Sequence, residues 1–377
     1  RVGKKLWSSA NQGELVKLNC YRTGKDEAQG ISDIIEQKIK KKYSLNEVSI
    51  LVRAIYQTRE FEERFIKVGI GYRVIGGIKF YERTEIKDAV SYLRIINQKY
   101  DDLALERVIG TPKRGVGEST INQLYSFSSK NKLCLEDSIL KILELNQFKP
   151  KIKTSLSQLI NMIYKWRKDL KTNKHFDLLK LVLDESGYSE MLKNKKDIEN
   201  ENRLENLKEL LRAMRDYDNL QSFLEHVALA TSIDQEWQGE KVNLMTMHAA
   251  KGLEFDVVFL PGWEEGLFPH QKSLEEKGDF ALEEERRLAY VGITRAKKEA
   301  FLSFAMKRNY HGDWMDALPS RFINEIPEDG VEKNDVNINK EVEDFDFNQD
   351  NTIEFDNEYR SPGWDRYKKN KMIKWKK

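Results

Sequence analysis

The chain of 377 residues has little cysteine and no long hydrophobic run. Its two cysteines, Cys20 and Cys134, lie far apart and form no CxxC pair. That excludes a disulfide scaffold and a zinc finger, and it fits a reducing cytoplasm. No apolar run approaches the roughly 18 residues of a membrane span, and no secretory signal opens the chain. We therefore expect a cytoplasmic protein without a membrane partner.

The sequence also lacks an excess of either charge. The 64 Lys and Arg residues nearly balance the 62 Asp and Glu residues, for a net charge of +2. Bulk charge therefore argues neither for nor against a polyanionic partner. The length suffices for two or three domains with cores of their own. Because the chain begins with Arg1 rather than Met, we expect a piece of a longer protein.

A complete phosphate loop is missing too. The stretch TGKDEAQG (23–30) combines the Gly-Lys that ends such a loop with a DExQ-like box. A phosphate loop reads GxxxxGK[ST], but residue 19 is Asn, and Asp26 stands where Ser or Thr is needed. We interpret the stretch as a helix start, with Thr23 as the N-cap and Asp26 completing a capping box.

What the sequence does contain is alternation of apolar strands and amphipathic helices near both ends. This alternation predicts βαβ units and a parallel sheet. Between the two stretches the pattern is helical throughout, which predicts a helical insertion into one α/β domain. The predicted strands are 15–22, 48–54, 72–77, 242–247, 256–262 and 299–305. The clearest predicted helices are 26–41, 59–69, 85–96, 203–214 (with Leu204, Leu207, Leu211 and Met214 on one face) and 283–293.

The C-terminal segment differs in composition from the rest. Residues 328–358 carry twelve acidic residues against two lysines, which predicts a solvated tail without a fold. Residues 360–377 are basic and include Trp364, Tyr367 and Trp375. Three interpretations stay open for this end: a disordered tail, a DNA-binding segment that combines phosphate attraction with base stacking, or a docking segment for a repair or transcription partner.

One chemically specific stretch is MTMHAAKGLEFDVVFLPGWEEGLFPH (245–270), in which a strand breaks into a polar, Gly-containing turn before a second apolar strand. Side chains of this turn are expected to cluster at a strand end, where α/β sheets place ligand sites. The alternative is an ordinary loop capped by Thr and charged residues. The candidate side chains are Thr246, His248, Lys251 and Glu254.

A second specific stretch is EEERRLAYVGITRAKKEA (283–300). Here Arg295 follows an amphipathic helix, and we expect it to point from the rim of a strand. The alternative is a surface arginine at a helix C-terminus, where the helix dipole favours a cation.

Together these stretches resemble the motifs of UvrD/Rep/PcrA-type superfamily 1 DNA helicases. MTMHAAKGLEFDVVFLPG resembles motif V, and EEERRLAYVGITRA resembles motif VI. VIGGIKFYERTEIKDAVSYLR (74–94) is similar to the block after motif IV, and PKRGVGEST (112–120) to the GIG-type element. The resemblance extends from residue 1 to about 327. It implies an α/β, P-loop NTPase-like fold: a second RecA-like domain, called 2A (1–96 and 239–327), interrupted by helical domain 2B (97–238) and followed by the tail (328–377).

The resemblance also explains the missing phosphate loop. In this family ATP binds between two RecA-like domains, and the phosphate loop and the Mg²⁺ ligands belong to the N-terminal one, which is not in this chain. The implied parent protein is an ATP-dependent 3′→5′ DNA helicase of repair or replication restart, located in the bacterial cytoplasm at the nucleoid. Its partners would be single-stranded DNA and the junction with duplex DNA. By itself the chain is expected to be inactive.

Roles transfer to residues that match the motifs. Arg295 resembles the arginine that reaches the γ-phosphate of ATP, and arginine fingers typically raise the rate by about 10³–10⁵. Glu254 resembles the acid that binds the ribose hydroxyl, with Gly252 permitting close approach of the backbone. Thr246 and His248 resemble the motif V residues that contact the backbone of single-stranded DNA.

The GIG-type element implies a second DNA contact. Gly115 and Gly117 are placed as in helix-hairpin-helix turns, whose backbone N–H groups face duplex phosphates. Lys113, Arg114 and Thr120 are candidates for further contacts. A tight turn without DNA contact is the alternative.

Several assignments stay open within the resemblance. Arg287 and Tyr290 either support motif VI or contact a ligand directly. Phe80, Arg83 and Glu85 either hold the junction between the domains or touch DNA. The histidines outside motif V show no ligand spacing and are interpreted as structural: His175, His226, His270 and His311.

Two other classes of function compete with a helicase part. One is a stand-alone DNA-binding or regulatory module that acts without ATP. The other is a helicase–nuclease subunit, but the acidic tail is short and lacks the pattern of a folded nuclease domain.

Overall fold

The computed structural model describes residues 13–145, 148–194, 198–236, 239–310 and 313–334. Contacts within the chain divide it into two compact units. The sheet unit combines the residues up to Ile78 with those from Gln238 onwards, and the helical unit spans Lys79–Trp237. The predicted insertion began at residue 97, so the helical unit starts earlier than the sequence pattern indicated.

The strands, in chain order, are β1 (Val16–Thr23), β2 (Val48–Val52), β3 (Tyr72–Val74), β4 (Val242–Thr246), β5 (Phe255–Leu260), β6 (Ala296–Tyr310), β7 (Asp313–Asp316) and β8 (Val331–Asn334). The helices are α1 (Gly24–Lys40), α2 (Thr58–Val68), α3 (Thr84–Asn97), α4 (Asp102–Gly110), α5 (Glu118–Asn131), α6 (Leu135–Glu144), α7 (Pro150–Asp169), α8 (His175–Glu185), α9 (Tyr188–Lys193), α10 (Ile198–Met214), α11 (Leu220–Glu236) and α12 (Gln271–Ile293).

The strands form one sheet in the order β3-β4-β2-β5-β6-β1-β8, with β7 paired to β6. Every pairing is parallel except the β6–β7 hairpin. The predicted parallel sheet is confirmed, and each of the six predicted strands is present. Because the strands are parallel, their ends form two distinct edges, a carboxyl edge and an amino edge, and the candidate residues are distributed between them.

Alternating residues of the central strands face two hydrophobic cores. Ile50 of β2 packs with Ile31 of α1 and Phe65 of α2 on one face of the sheet. Its neighbour Leu51 packs with Leu288 of α12 on the other face. Both β2 residues are fully buried, as expected for a strand with helices on both sides.

The stretch TGKDEAQG forms the start of α1, as predicted. Thr23 Oγ1 accepts a hydrogen bond from Asp26 N (3.2 Å), and Asp26 Oδ2 accepts one from Thr23 N (3.1 Å). This reciprocal capping satisfies two N–H groups of the first turn. The interpretation of the stretch as a helix cap is confirmed.

In the helical unit, α3 packs on α4, α7, α8, α10 and α11. The ring of Tyr92 in α3 makes edge contacts with Trp166 (5.9 Å between centroids) and Tyr188 (6.4 Å). These contacts explain why the helical unit includes α3, which the sequence pattern had assigned to the α/β part. None of the helices in the described part of the chain combines the length and apolar character needed to cross a bilayer.

The segment predicted to lack a fold begins with ordered structure. Val331–Asn334 form β8, which pairs in parallel with β1, and Val331 packs against the core of the sheet. The prediction is therefore wrong for this stretch, because pairing with an existing strand compensates for its two charged residues. Residues 335–377, including the basic end, lie outside the described residues.

Candidate functional site

The loop between β4 and β5 (residues 247–254) carries most of the motif V candidates and runs from one edge of the sheet to the other. Thr246 ends β4 at the carboxyl edge, whereas Phe255 begins β5 at the amino edge. A parallel strand must start at the edge opposite to the one at which its predecessor ends. The prediction that all of these side chains cluster at one strand end is therefore wrong, because Thr246 lies at the carboxyl edge and Glu254 next to the amino edge. The residues concerned are Thr246, His248, Lys251 and Glu254.

At the amino edge, the structure brings Arg295 against the end of this loop. Its guanidinium Nη1 donates to the carbonyl oxygen of Leu253 (3.0 Å), and Nε donates to that of Val291 (3.0 Å). Nη2 donates to Thr294 Oγ1 (3.1 Å). The carbonyl oxygen of Arg295 accepts from Phe255 N (2.9 Å). The arginine is thus half-buried and held mainly by backbone oxygens, and no carboxylate is among the acceptors that hold its guanidinium.

Gly252 and Glu254 flank Leu253, whose carbonyl oxygen accepts from Arg295, and both are open to solvent. Gly252 has φ +87°, in the left-handed region, and a Cβ added there would meet no atom within 4 Å. Glu254 is exposed, and its carboxylate makes no hydrogen bond with any residue of the described chain. The structure thus brings a half-buried arginine against the end of a loop that also carries an open backbone position and a free carboxylate.

At the carboxyl edge, Thr246 and His248 shape the turn after β4. Thr246 Oγ1 accepts from Ala249 N (3.2 Å), and Met247 N donates to the carbonyl of Val52 in β2 (2.8 Å). The His248 side chain is partly exposed. Partial desolvation, and then the positive charge of Arg53, lower the pKa of His248 from its ordinary value. The imidazole is therefore neutral near pH 7.

Arg53 and Glu285 form an ion pair next to this turn. Arg53 Nε lies 3.0 Å and 2.9 Å from the two oxygens of Glu285, and Nη2 lies 2.6 Å from Oε1. Glu285 is only 4% exposed, and its Oε2 also accepts from His270 N (3.2 Å). The pair thus links β2, α12 and the segment before α12. Sequence analysis missed it, and the available signal was a cation at the end of the apolar strand predicted for residues 48–54.

A second buried cluster lies at the same edge. Arg308 Nη2 lies 2.5 Å from Glu27 Oε2 and 2.8 Å from Glu264 Oε1. Burial disfavours its charge, but the carboxylates outweigh that cost and keep the pKa of Arg308 well above its ordinary range. Glu27 also accepts from Ser303 Oγ (2.7 Å) and Gly262 N (3.0 Å). The acid of the DExQ-like stretch is therefore an internal ion-pair partner.

In the helical unit, some side chains of the GIG-type element face inward and others are exposed. Arg114 faces inward: its guanidinium donates to the carbonyls of Val108 and Pro112 and, through Nη2, to Tyr92 Oη (2.8 Å). Thr120 is only 6% exposed. Thr120 is thus out of reach of a ligand, and Arg114, although partly exposed, directs both of its Nη groups at acceptors within the unit, contrary to what the resemblance implied.

Other residues of the same turn remain accessible. Lys113 is exposed, and Gly115 has φ +76°, which a residue with a side chain rarely adopts. Gly117 is the N-cap of α5. Lys113 and the turn backbone are therefore the parts of the element that a ligand can reach.

In the block after motif IV, the candidate residues Phe80, Arg83 and Glu85 belong to a network of contacts inside the helical unit. Arg83 Nη1 donates to Asn206 Oδ1 (2.7 Å), and Asn206 Nδ2 donates to Glu85 Oε1 (2.5 Å). The Arg83 guanidinium also lies over the ring of Phe80 (5.2 Å), and all three of the candidate side chains are buried. This burial fits a structural role for them better than direct DNA contact.

On α12, Arg287 and Tyr290 are exposed. Arg287 pairs with Glu284 (2.6 Å) in solvent, and Tyr290 is 54% exposed. Support of motif VI and direct contact both remain predictions for these residues. Within the described residues, no group of three or more His, Cys, Asp or Glu side chains is arranged to hold a metal ion.

Comparison with known families matches residues 1–307 to the family described as UvrD-like helicase C-terminal domain. The chain belongs to this family. Membership confirms the resemblance found in motifs V and VI, and it agrees with the mostly parallel α/β sheet and its helical insertion.

Curated relatives match most of the chain. "DNA helicase II" of Rickettsia typhi is 43% identical over 332 residues, which cover 87% of this chain and 50% of that protein. "ATP-dependent DNA helicase PcrA" of Staphylococcus epidermidis RP62A is 38% identical over 87% of the chain and 46% of that protein. "DNA helicase II" of Escherichia coli K12 is 39% identical over 88% of the chain and 47% of that protein. The chain thus spans about half the length of the curated relatives it matches.

Proposed function

We propose that this chain is the C-terminal part of an ATP-dependent 3′→5′ DNA helicase and translocase of bacterial repair or replication restart. The sheet unit would be the second RecA-like domain, 2A, and the helical unit would be domain 2B. Family membership and the names of the relatives support a DNA helicase. As expected for such an enzyme, we place the protein in the cytoplasm.

The observation that carries this proposal is the position of Arg295 beside Gly252 and Glu254. An arginine at this place can donate to the oxygens of a γ-phosphoryl group as negative charge spreads over them during transfer. The free carboxylate of Glu254 is suited to accept hydrogen bonds from a ribose hydroxyl. Gly252 leaves the backbone open to a closely approaching nucleotide.

The carboxyl edge supports a DNA contact. Thr246 orders the turn, and a neutral His248 can donate a hydrogen bond to a phosphate oxygen of single-stranded DNA. The loop of residues 247–254 joins the two edges directly. A shift of this loop on nucleotide binding would therefore be transmitted to the DNA contact, which is the coupling that a translocase requires.

The remaining parts of the ATP site would come from an N-terminal RecA-like domain. We assign to that domain the phosphate loop and the ligands of Mg²⁺, which when bound neutralises charge on the phosphates. The chain's own contribution would be to bind and orient: Arg295 on the γ-phosphate and Glu254 on the ribose. Alone, the chain would neither hydrolyse ATP appreciably nor unwind DNA.

ATPase measurements on the chain, with and without single-stranded DNA and with and without the N-terminal half of the protein, test this proposal. We expect no turnover by the chain alone and DNA-stimulated turnover after the second half is added. ATPase activity of the chain alone would contradict a divided site. DNA binding without restored ATPase would favour a stand-alone DNA-binding or regulatory module.

A further inference from the structure

The hydroxyl of Thr294, the residue before Arg295, lies between the end of α12 and the guanidinium of the arginine. Its Oγ1 accepts a hydrogen bond from Arg295 Nη2 (3.1 Å). The same Oγ1 lies within hydrogen-bond distance of the carbonyl oxygens of Tyr290 (2.9 Å) and Val291 (3.1 Å) in α12. Because a hydroxyl has one proton and two lone pairs, it can donate to a carbonyl and accept from the guanidinium at the same time. Thr294 therefore joins the helix to the tip of the arginine side chain.

The end of α12 is a firm support for this hydroxyl. Thr294 is the C-cap residue of the helix. A Cβ placed on Gly292 would lie 2.8 Å from Leu260 Cδ2 and 3.1 Å from Met247 Sδ, so the helix end packs directly on β5 and on the turn after β4. Close packing of this kind leaves the backbone little room to move. The carbonyls that hold the Thr294 hydroxyl therefore have a defined position.

The hydrogen bonds of Arg295 leave part of its guanidinium available. A guanidinium has five N–H groups. Three of them are used: Nε donates to the Val291 carbonyl, Nη1 to the Leu253 carbonyl and Nη2 to Thr294 Oγ1. These are the acceptors of the side chain within the described residues, so one N–H on each Nη remains. Two N–H groups are therefore left for the oxygens of a phosphoryl group, and none of the three existing bonds has to break.

The bond to Thr294 differs from the other two because it depends on a side chain. Val291 and Leu253 offer backbone carbonyls, which any residue at those positions would provide. The Thr294 hydroxyl is the single side-chain acceptor of the guanidinium in the part of the chain that the structure describes. A hydrogen bond from a charged donor is stronger than one between neutral groups, so this contact restricts rotation of the terminal nitrogens. The orientation of the arginine tip thus depends on the residue type at position 294.

We propose that Thr294 is a positioning residue for Arg295 and that its hydroxyl holds the guanidinium in the orientation that meets the γ-phosphoryl group. This inference rests on the proposed function, because it requires Arg295 to act on a nucleotide. Donors that are already oriented stabilise the charge of the transition state without reorganisation during the reaction. Thr294 therefore acts on turnover through the arginine and does not bind ATP itself.

Steady-state ATPase kinetics of the protein completed by its N-terminal half, at saturating single-stranded DNA, test the proposal. Thr294→Val keeps the shape of the side chain but removes the hydroxyl, and we expect kcat to fall about tenfold with little change in KM. Thr294→Ser keeps the hydroxyl and should restore most of kcat. In the Arg295→Ala background, Thr294→Val should cause no further loss, because a positioning residue has no effect without the group that it positions.

The matched control is Thr231→Val in α11. Thr231 Oγ1 makes the same kind of contact with helix carbonyls, those of Val227 (3.0 Å) and Ala228 (2.9 Å), and no side chain of the described residues donates to it. This variant removes the same hydroxyl from the same local setting without touching an arginine. Its kcat should equal that of the unaltered protein, and a loss as large as that of Thr294→Val overturns the inference.

The other outcomes separate this inference from the proposed function. Normal kcat of Thr294→Val beside a slow Arg295→Ala overturns the inference and leaves the proposed function intact. A further loss from Thr294→Val in the Arg295→Ala background also overturns it, because the threonine would then act by capping the helix. Near-normal turnover of Arg295→Ala contradicts the proposed role of the arginine, and this inference falls with it.

Discussion

The carboxyl and amino edges of the sheet differ in how the charged side chains of the candidate site are paired. At the carboxyl edge, buried carboxylates are paired with arginines, as in Glu285 with Arg53 and Glu27 with Arg308. At the amino edge, Arg295 rests on backbone oxygens and Glu254 has no partner among the described residues. The two carboxyl-edge pairs are thus satisfied within this chain, whereas the carboxylate of Glu254 at the amino edge is free to bind a ligand. This difference is what our proposed division of the nucleotide site requires.

Exposed and buried ion pairs also differ in how much they contribute to the stability of the fold. At the amino edge, the Lys297–Glu47 pair lies in solvent, where such pairs contribute little, whereas Glu299 near the same edge is buried and pairs with Lys38 and Lys17. Removing one partner from a buried pair leaves an uncompensated charge, which is strongly destabilising. The buried Arg308 cluster should therefore contribute more to stability than the exposed Lys297–Glu47 pair, whereas Arg295 is the residue that we propose for catalysis.

The largest expected effect follows from breaking the Arg308 cluster. Arg308→Ala would leave the carboxylates of Glu27 and Glu264 buried without their cation, both at 1% exposure. We expect it to lower the free energy of unfolding by about 3–5 kcal/mol, measured by urea titration with far-UV circular dichroism. Lys297→Ala at the amino edge is the control and should change the midpoint little. Similar effects of the two variants would remove the distinction between the edges.

Replacing Arg295 should have a large effect on catalysis and a small effect on stability. In the protein completed by its N-terminal half, Arg295→Ala should lower ATPase turnover at least about a hundredfold, or about 2.7 kcal/mol in activation free energy. Its unfolding midpoint should move little, because its partners are backbone oxygens at the rim of the sheet. Turnover and unfolding are measured on the same preparations. Near-normal turnover would contradict the arginine-finger assignment.

Features that depend on neighbouring residues could be predicted from the sequence. The apolar run of residues 48–54 indicated a strand, and Thr23 with Asp26 indicated a helix cap. The pair of Arg308 with Glu27 could not be predicted, because the two residues are 281 positions apart. Strand β8 was missed for a related reason: its stability comes from pairing with β1.

The candidate site was predictable only in part. Motif resemblance identified Arg295 and Glu254, and the structure brings their segments together at one edge. That Thr246 lies at the opposite edge follows from strand order, which local patterns do not reveal. The inward turn of Arg114 likewise depends on Tyr92, a residue of another helix.

A smaller effect is expected from adding one methyl group at the carboxyl edge. A Cβ on Gly24 would overlap with Arg308 Nη1 and Glu60 Oε2, so Gly24→Ala should destabilise by about 1–3 kcal/mol. Gly110, in α4, has open space at the corresponding position, and Gly110→Ala should be neutral or stabilising by up to about 1 kcal/mol. Thermal unfolding of both variants measures the two changes in stability. A harmless Gly24→Ala would show that the Arg308 cluster can move, and the carboxyl edge would then be less rigid than we infer.

The smallest expected effect is a pH dependence at the carboxyl edge. The pKa of His248 is lower in the folded chain than its ordinary value of 6.5, because of partial desolvation and the charge of Arg53, which outweigh Glu285 and Glu284. On acidification the unfolded chain therefore binds a proton before the folded chain does, and stability falls as the pH falls.

The free energy of unfolding of the unaltered chain and of His248→Gln, each measured at about pH 8 and about pH 5, isolates this contribution. The loss on acidification should be smaller in the variant, since the other titrating groups are common to both chains. An equal loss in both chains would mean that Arg53 and its surroundings do not act on His248. The turn that we assign to DNA would then be as loosely held as the groups at the amino edge, and the contrast between the edges would be confined to the Arg308 cluster.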